Sequence, residues 1–331
     1  MTPGPELPKV SIVIPMLNEA EAIERCIHSI ESQDYPKDHL EVVVVDGISQ
    51  DGSREKVIRL IEAHGNIKLF DNPQKRTPNA LNIGVRNSSG DVVIILGAHT
   101  RIDRDFVALN IRYMRELGVN CVGGTQINVG ETFRQKAIAA AMSSPLGIPS
   151  APYRYRKTKQ FVDTVVYAAY KRHLFNEIGF FEEEMAISED AELNWRIRKA
   201  GHKIFFTPEI ISYYYPRKTL KALIRQFSNY GVLRVNVIKK HADALKIIHI
   251  LPPLFIVSFF VLLFASILNK QFLFLLMALC IVYALYLAIA AAHTVLATKR
   301  PHFIVALPLI FLSMQMSWGF GFLVGLFKTN K

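Results

Sequence analysis

The chain has 331 residues, half of them hydrophobic, with a formal net charge of +11, room for one large domain with an appendage or two modest ones. The charge is uneven: residues 217–246 hold eight Lys or Arg against one acid, Asp243, and residues 247–331 hold five and no acid, which leaves the front of the chain near neutral. A nucleic-acid binder carries its positive charge on the folded domain; here the charge borders an apolar tail, as in segments that meet an anionic membrane surface, so the lipid bilayer is an expected partner and nucleic acid is not.

In chain order, residues 10–15 (VSIVIP) read as a buried strand. Residues 19–33 then place Ala20, Ile23, Cys26, Ile27 and Ile30 on one helical face. Residues 40–46 (LEVVVVD) predict a second strand, followed by a helix with Val57, Leu60 and Ile61 inward. Residues 67–70 form a short third strand, Pro78 opens a helix through Val85, and residues 91–96 (DVVIIL) make a fourth strand. Strands alternating with helices predict an α/β domain over residues 1–215, with a mostly parallel sheet covered by helices on both faces. Ligands of such sheets sit at the carboxyl ends of the strands, which singles out Asn18-Glu19, Asp46-Gly47 and Gly97-Ala98-His99.

Residues 216–246 follow as a basic amphipathic segment. Leu220, Leu223, Ile224, Phe227, Val232 and Val235 fall roughly on one side of it, as in a helix lying in a membrane interface. Residues 247–268, 272–292 and 304–326 are each long and apolar enough to cross a bilayer; the third is either a full span or re-entrant. Pro252, Pro253, Pro301 and Pro308 fall near the starts of spans, where they cost least. Gly319, Gly321 and Gly325 offer close helix contact on the third. Lys299 and Arg300 place the link between the second and third spans on the cytoplasmic side. The beginning of the sequence lacks the marks of a signal peptide, and Cys26, Cys121 and Cys280 are too scattered for a disulfide framework. The expected location is therefore a multi-pass cytoplasmic (inner) membrane protein whose first domain faces the cytoplasm.

The chemistry-bearing residues follow the strand ends. Asp46 opens the run DGISQDGS, where a carboxylate can accept hydrogen bonds from a base N–H; the same residue types also make ordinary turns. Pro15, Asn18 and Glu19 at the neighbouring strand end favour the nucleotide reading. Lys75 and Arg76, just before a helix N-terminus, suit a diphosphate, with a solvated charge pair as the alternative. In SEDAELNWR, Glu189 and Asp190 occupy the first turn of a helix, whose dipole favours anions. Beyond such capping, Asp190 is positioned to act as the general base that an acceptor hydroxyl requires, with Glu189 beside it. Arg225 and Gln226, with Tyr230 a turn further on, either close over the diphosphate on the acceptor side or grip lipid headgroups. His173, His202 and His241 are scattered and read as structural or surface residues.

The runs VSIVIPMLNEAEAIERCIHSI, EVVVVDGISQDGS, VDTVVYAAYKRHLFNEIGFFEEEM, SEDAELNWRIRKAG, YYYPRKTLKALIRQFSNYG and SWGFGFLVG, in that order, resemble family 2 glycosyltransferases of the GT-A fold. Within that family they are most similar to the succinoglycan-type exopolysaccharide glucosyltransferases. The resemblance implies a nucleotide site that includes Pro15, Asn18, Glu19, Asp46, Lys75, Arg76 and Gly97, and puts the catalytic Asp on Asp190. It also exposes departures. Relatives tend to read Asp-Asp-Glu-Leu where this chain has Asp190-Ala191-Glu192-Leu193, and Asp-x-Asp or Asp-Ala-His where it has Gly97-Ala98-His99. By that likeness His99 is a metal ligand completed by donor phosphate and water; imidazole suits Mn²⁺ better than Mg²⁺. The alternative is a His packed at a strand end, with Asp103 or nothing in its place. The Gln-x-x-Arg-Trp motif of processive synthases is missing, which implies one sugar per turnover.

The expectation is thus a membrane-anchored inverting glycosyltransferase that moves a sugar from a nucleotide-sugar, a UDP-hexose by type, to a polyprenyl-linked saccharide in polysaccharide or cell-envelope glycan synthesis. A polyprenyl-phosphate glycosyltransferase and a non-catalytic nucleotide-sugar-binding scaffold are the competing readings.

Overall fold

A computed structural model of the chain describes residues 6–184 and 189–328. It divides into two compact units, Met1–Ile127 with Arg156–Tyr214, and Asn128–Tyr155 with Tyr215–Lys331.

The first unit opens with the expected alternation: β1 (Val10–Met16), α1 (Ile23–Glu31), β2 (Leu40–Asp46), α2 (Ser53–Ala63), β3 (Ile67–Asp71), α3 (Thr77–Arg86) and β4 (Val92–Ile95). β1 and β2 are nearly unbroken Val/Ile runs buried on both faces, as inner strands of a helix-covered sheet must be. They pair in parallel, with Pro15 opposite Val45 and Met16 opposite Asp46, so their carboxyl ends finish level. α1 buries Ile23, Cys26, Ile27 and Ile30, the face its period predicts. It starts at Ile23 rather than Glu19 because the amides of Glu19 and Ala20 are taken by the side chains of Ser53 and Asp51, at 2.7 and 3.0 Å.

Beyond β4 come β5 (Thr100–Ile102), α4 (Phe106–Leu117), β6 (Cys121–Asn128), α5 (Phe133–Met142), β7 (Gln160–Val162), β8 (Ala169–Lys171), α6 (His173–Ile178), α7 (Glu189–Lys199) and β9 (Ile204–Tyr214). The nine-stranded sheet has the order β3-β2-β1-β4-β8-β6-β9-β5, with β7 also on β9. Only the β3-β2-β1-β4 half is parallel. β8 runs antiparallel to β4 and β6, and β5 and β7 run antiparallel to β9. This corrects the expectation of a mostly parallel sheet. β5 and β7 are three-residue strands laid along the eleven-residue β9.

The second unit contains α5 and the helices α8 (Leu220–Lys240), α9 (Ile247–Leu268), α10 (Gln271–Thr298) and α11 (Leu307–Phe327). The last three, of 22, 28 and 21 residues, are long and apolar enough to cross a membrane. α9 matches its sequence bounds, α10 runs to Thr298, and α11 is one unbroken helix that begins at Leu307. Pro308 sits in the first turn of α11, but Pro252 and Pro253 lie inside α9, not at its start. α8 turns Leu223, Phe227, Gly231 and Val235 inward and packs along α11. A Cβ at Gly231 would overlap the Trp318 carbonyl, and one at Gly321 would overlap the Ser228 carbonyl. The inner side of α8 is thus held by protein, not laid on lipid as its pattern alone implies; small residues let the two backbones meet. α5 buries Ala137–Met142 and packs on α10 and α11, so residues 128–155 group with the apolar helices although they lie between two segments of the first unit.

Candidate active site

Asp46 ends β2 with its side chain fully buried. One carboxylate oxygen accepts the Ser49 amide (3.1 Å) and hydroxyl (2.6 Å); the other accepts Arg54 Nη1 (3.2 Å). The same Arg54 nitrogen donates to Asp71 at the end of β3, at 2.6 Å. A buried carboxylate is tolerable only with such partners. Ser49 Oγ in turn accepts the Asn18 amide (2.9 Å), and Asn18 Oδ1 accepts the Gln50 amide (3.0 Å). Asn18 and Ile48 both adopt left-handed backbone, with φ of 55° and 60°. That conformation is strained for a β-branched residue, and such strain concentrates at ligand clamps. The Asn72 amide donates to the Asp46 carbonyl (2.7 Å), and Asn72 Nδ2 donates to the Arg76 carbonyl (2.9 Å). Exposed Lys75 and Arg76, and the start of α3, are thereby hung on the same strand ends. Pro15 lies half-buried next to the end of β1.

Gly97 follows β4, its carbonyl accepting the Thr100 amide at 2.9 Å. His99 Nδ1 lies 3.0 Å from the Glu19 carboxylate, and the ring meets Tyr214 edge-on at 5.3 Å. Among the described residues no three His, Cys, Asp or Glu side chains gather to hold an ion. Even so, His99 fits the role of a lone ligand. A carboxylate on one ring nitrogen orients the imidazole and leaves Nε2 for a metal, with the other ligands left to a bound diphosphate. Asp103 stands past the far end of β5, where its carboxylate faces the Tyr213 hydroxyl.

The second centre is the head of α7. Glu189 and Asp190 lie in its first turn, and the Ala191 amide donates to Asp190 Oδ1 at 2.7 Å; Ser188 of the same motif is outside the described residues. Desolvation, followed by the Asp190 charge, pushes the Glu189 carboxyl well above its usual range. Behind them, buried Tyr170 on β8 donates to Asn194 Oδ1 (3.3 Å), and Asn194 Nδ2 donates to Thr164 Oγ1 (2.9 Å) and the Val165 carbonyl (3.1 Å). Burial raises the Tyr170 hydroxyl, with further push from Cys121, Asp190 and Glu189. Glu192 grips Arg196 through two bonds of 2.8 and 2.7 Å, and Arg196 holds the carbonyls of Ile178 and Phe180 at 2.6 and 2.7 Å. On α3, Asn82 bonds both the amide and the carbonyl of Phe181 at 2.9 Å, and Asn79 reaches Glu183 at 2.7 Å. The segment that leads toward α7 is therefore fastened to the helix whose start borders the Asp46 end.

Sequence reasoning missed Arg54, Tyr170, Asn194 and Arg196. The i, i+4 spacing of Asp190–Asn194 and Glu192–Arg196 was the available signal for the last two. Of the α8 residues, Gln226 is buried and donates to the Tyr230 hydroxyl at 2.8 Å, while Arg225 is exposed. His202 is structural, placed 3.1 Å from Asn120 and 2.9 Å from Glu177.

A family model described as Glycosyl transferase family 2 matches residues 11–179, which contain the Asp46 and His99 strand ends. A Methanococcus voltae protein, dolichyl N-acetyl-alpha-D-glucosaminyl phosphate 3-beta-D-2,3-diacetamido-2,3-dideoxy-beta-D-glucuronosyltransferase, is 30% identical over 329 residues, covering 97% of this chain and 98% of its own length. Succinoglycan biosynthesis protein ExoA of Rhizobium meliloti is 32% identical over 232 residues, 70% of each chain. Among solved structures, the mannosyltransferase PcManGT from Pyrobaculum calidifontis, in complex with GDP-Man and Mn²⁺, superposes with a TM-score of 0.60 over 98% of this chain and 88% of its own; at 22% identity that is a likeness of fold. With the family model over half of its residues and a relative aligned along nearly all of them, this chain, built around an α/β unit with its polar clusters at the strand ends, belongs to glycosyl transferase family 2.

Proposed function

We propose that the chain is an inverting glycosyltransferase that passes a sugar from a nucleotide-sugar to a lipid-linked saccharide at the cytoplasmic face of a membrane. The observation that carries this reading is that one segment is held both by α7, which bears Asp190, and by α3, whose start hangs on the Asp46 strand end: Arg196 bonds the Ile178 and Phe180 carbonyls, and Asn82 bonds Phe181. Asp46, held by Arg54 and Ser49, accepts a base N–H. Lys75, Arg76 and the start of α3 receive the diphosphate. Asp190 takes the proton of the acceptor hydroxyl as its oxygen attacks the anomeric carbon from the face opposite the leaving nucleoside diphosphate. One displacement without a covalent intermediate inverts that carbon. With Glu189 kept protonated by desolvation and by Asp190, and Glu192 taken by Arg196, Asp190 is the acid at the head of α7 left to act as base. When bound, a divalent ion would be held by His99 and the donor diphosphate and would neutralise the leaving group; imidazole favours Mn²⁺ over Mg²⁺.

The lipid-linked acceptor is supported by the name of the Methanococcus voltae relative, a dolichyl-phosphate-linked sugar, and by an alignment that runs through the three apolar helices. Lys299 and Arg300 favour a cytoplasmic side for the link between the second and third apolar helices. Membranes supplied with radiolabelled nucleotide-sugars should place label in an extended oligosaccharide lipid with a β linkage. Label in a mild-acid-labile lipid phosphate would point instead to a polyprenyl-phosphate glycosyltransferase, and no transfer at all to a binding scaffold. Asp190→Asn should lower transfer by about 10²–10⁴-fold while nucleotide-sugar binding persists; turnover above roughly a tenth of wild type would remove Asp190 from the role.

A further inference from the structure

The three apolar helices of the second unit differ in how they are packed. Exposed apolar side chains run the length of α9 and α10, among them Leu254, Phe264, Phe274, Val282 and Ile289, as on spans that face lipid. α11 instead buries Leu307, Phe311, Met314, Gly319, Phe322 and Gly325 against its neighbours. α9 and α10 are joined by only Asn269 and Lys270, and Phe255 stacks on Tyr283 at 4.1 Å, so the two form an antiparallel hairpin.

α11 runs across that hairpin. Its consecutive residues Trp318, Gly319 and Phe320 meet, in turn, His249, then Pro252 with Ile256, then Phe260 of α9. About 3 Å of rise on α11 thus touches about 16 Å of α9, at 1.5 Å per residue. Helices lying side by side meet turn for turn; contacts fanned in this way mark a steep crossing. A turn earlier, Gln315 meets Tyr283 and Tyr286 of α10 at 2.8 Å. Tyr283 is level with Phe255, which lies between Pro252 and Ile256, so α11 passes from one helix of the pair to the other without gaining depth.

With α8 the register is the opposite. Gly321 lies against Ser228 and Gly325 against Val232, four residues on in each helix. Lys239 Nζ then caps the end of α11, donating to the carbonyls of Gly325, Leu326 and Lys328 at 2.9, 3.1 and 3.0 Å. α8 and α11 therefore run side by side in the same direction. Carried back along α8, that register sets Arg225 near the middle of α11. Lys221, Arg225, Asn229 and Lys239 are exposed. Were α11 to cross the bilayer, Lys221 and Arg225 would be held in mid-hydrocarbon, where charged side chains are rare and costly. Laid in the boundary, the same cations meet anionic headgroups, while exposed Leu309, Phe320 and Val324 of α11 meet the apolar layer.

We infer that α11 does not cross the bilayer. α8 and α11 form a two-helix layer in the membrane–water boundary, the chain crosses twice through α9 and α10, and Lys328 lies on the side from which α9 enters. Single cysteines in the full chain test this in a Cys280→Ser background, since Cys26 and Cys121 are buried. In sealed vesicles a membrane-impermeant maleimide should reach Arg300→Cys and Lys328→Cys from the same side, and Lys270→Cys only from the other. Lys328→Cys labelled together with Lys270→Cys and not with Arg300→Cys overturns the inference, as does labelling of all three from one side. Fluorophores on Leu309→Cys and Phe320→Cys, both at exposed positions, should be quenched equally by lipids spin-labelled near the headgroup. Quenching much stronger at Leu309→Cys, as on a helix that descends toward the bilayer centre, overturns it too.

Discussion

At the scale of single residues the site is built from carboxylates, each with a close polar or charged neighbour. Asp46 has Arg54 and Ser49. Glu19 has His99, whose Nδ1 faces the carboxylate, so Nε2 is the nitrogen the proposed metal would take. Removing that nitrogen in His99→Ala should abolish nucleotide-dependent Mn²⁺ binding, read by titration with and without UDP; unchanged Mn²⁺ affinity would take His99 out of the metal site. Glu189 has Asp190, and its raised pKa gives a signed prediction. The folded state keeps a proton that the unfolded state releases near 4.5, so stability should fall as pH rises from that value until the folded carboxyl also ionises. Glu189→Gln should flatten this part of the stability profile, measured as melting temperature against pH in detergent. A wild-type profile that rises with pH over the same window would show that the carboxyl is not held protonated.

At the scale of elements, the helices of the second unit meet through small residues. Gly321 faces the Ser228 backbone, Gly231 faces Trp318, and Gly325 faces Val232. Gly321→Leu should push α8 off α11 and cost about 1–3 kcal/mol or more, seen as a lower melting temperature in detergent. Gly65→Ala, where a Cβ meets nothing within 4 Å, serves as the neutral control. If the two variants melt alike, the α8–α11 contact is looser than described. The glycines on the third span were readable as a contact stripe, since small side chains at helical spacing have few other uses there. Their partner was not. The basic period of α8 is equally compatible with a lipid surface and with another helix, because amphipathicity reports that one face is buried and says nothing of what buries it.

At the scale of the whole molecule, a single cut does not separate catalysis from anchoring. Residues 128–155 leave the first unit, pack on α10 and α11, and return. The full chain should stay in membranes through an alkaline carbonate wash. A chain truncated after Tyr214 should nonetheless remain detergent-dependent, since it strips the packing from the Ala137–Met142 face of α5. A monodisperse, detergent-free product of that truncation would show that α5 needs no apolar partner.

Hydrophobic period was enough to establish the α/β alternation and the three apolar helices, because burial on both faces and a length of about twenty residues leave few alternatives, and it placed Asp46 and His99 after strands and Asp190 in a helix's first turn. What only the folded chain decided is which distant residues stand together. His99 meets Glu19 from 80 positions away. Arg54 ties two strand ends that the sequence separates. In the antiparallel half of the sheet β5, β7 and β8 have three residues each, too short to show a period. Local pattern records how each segment divides apolar from polar; long-range pairing depends on the geometry in which those segments finally pack.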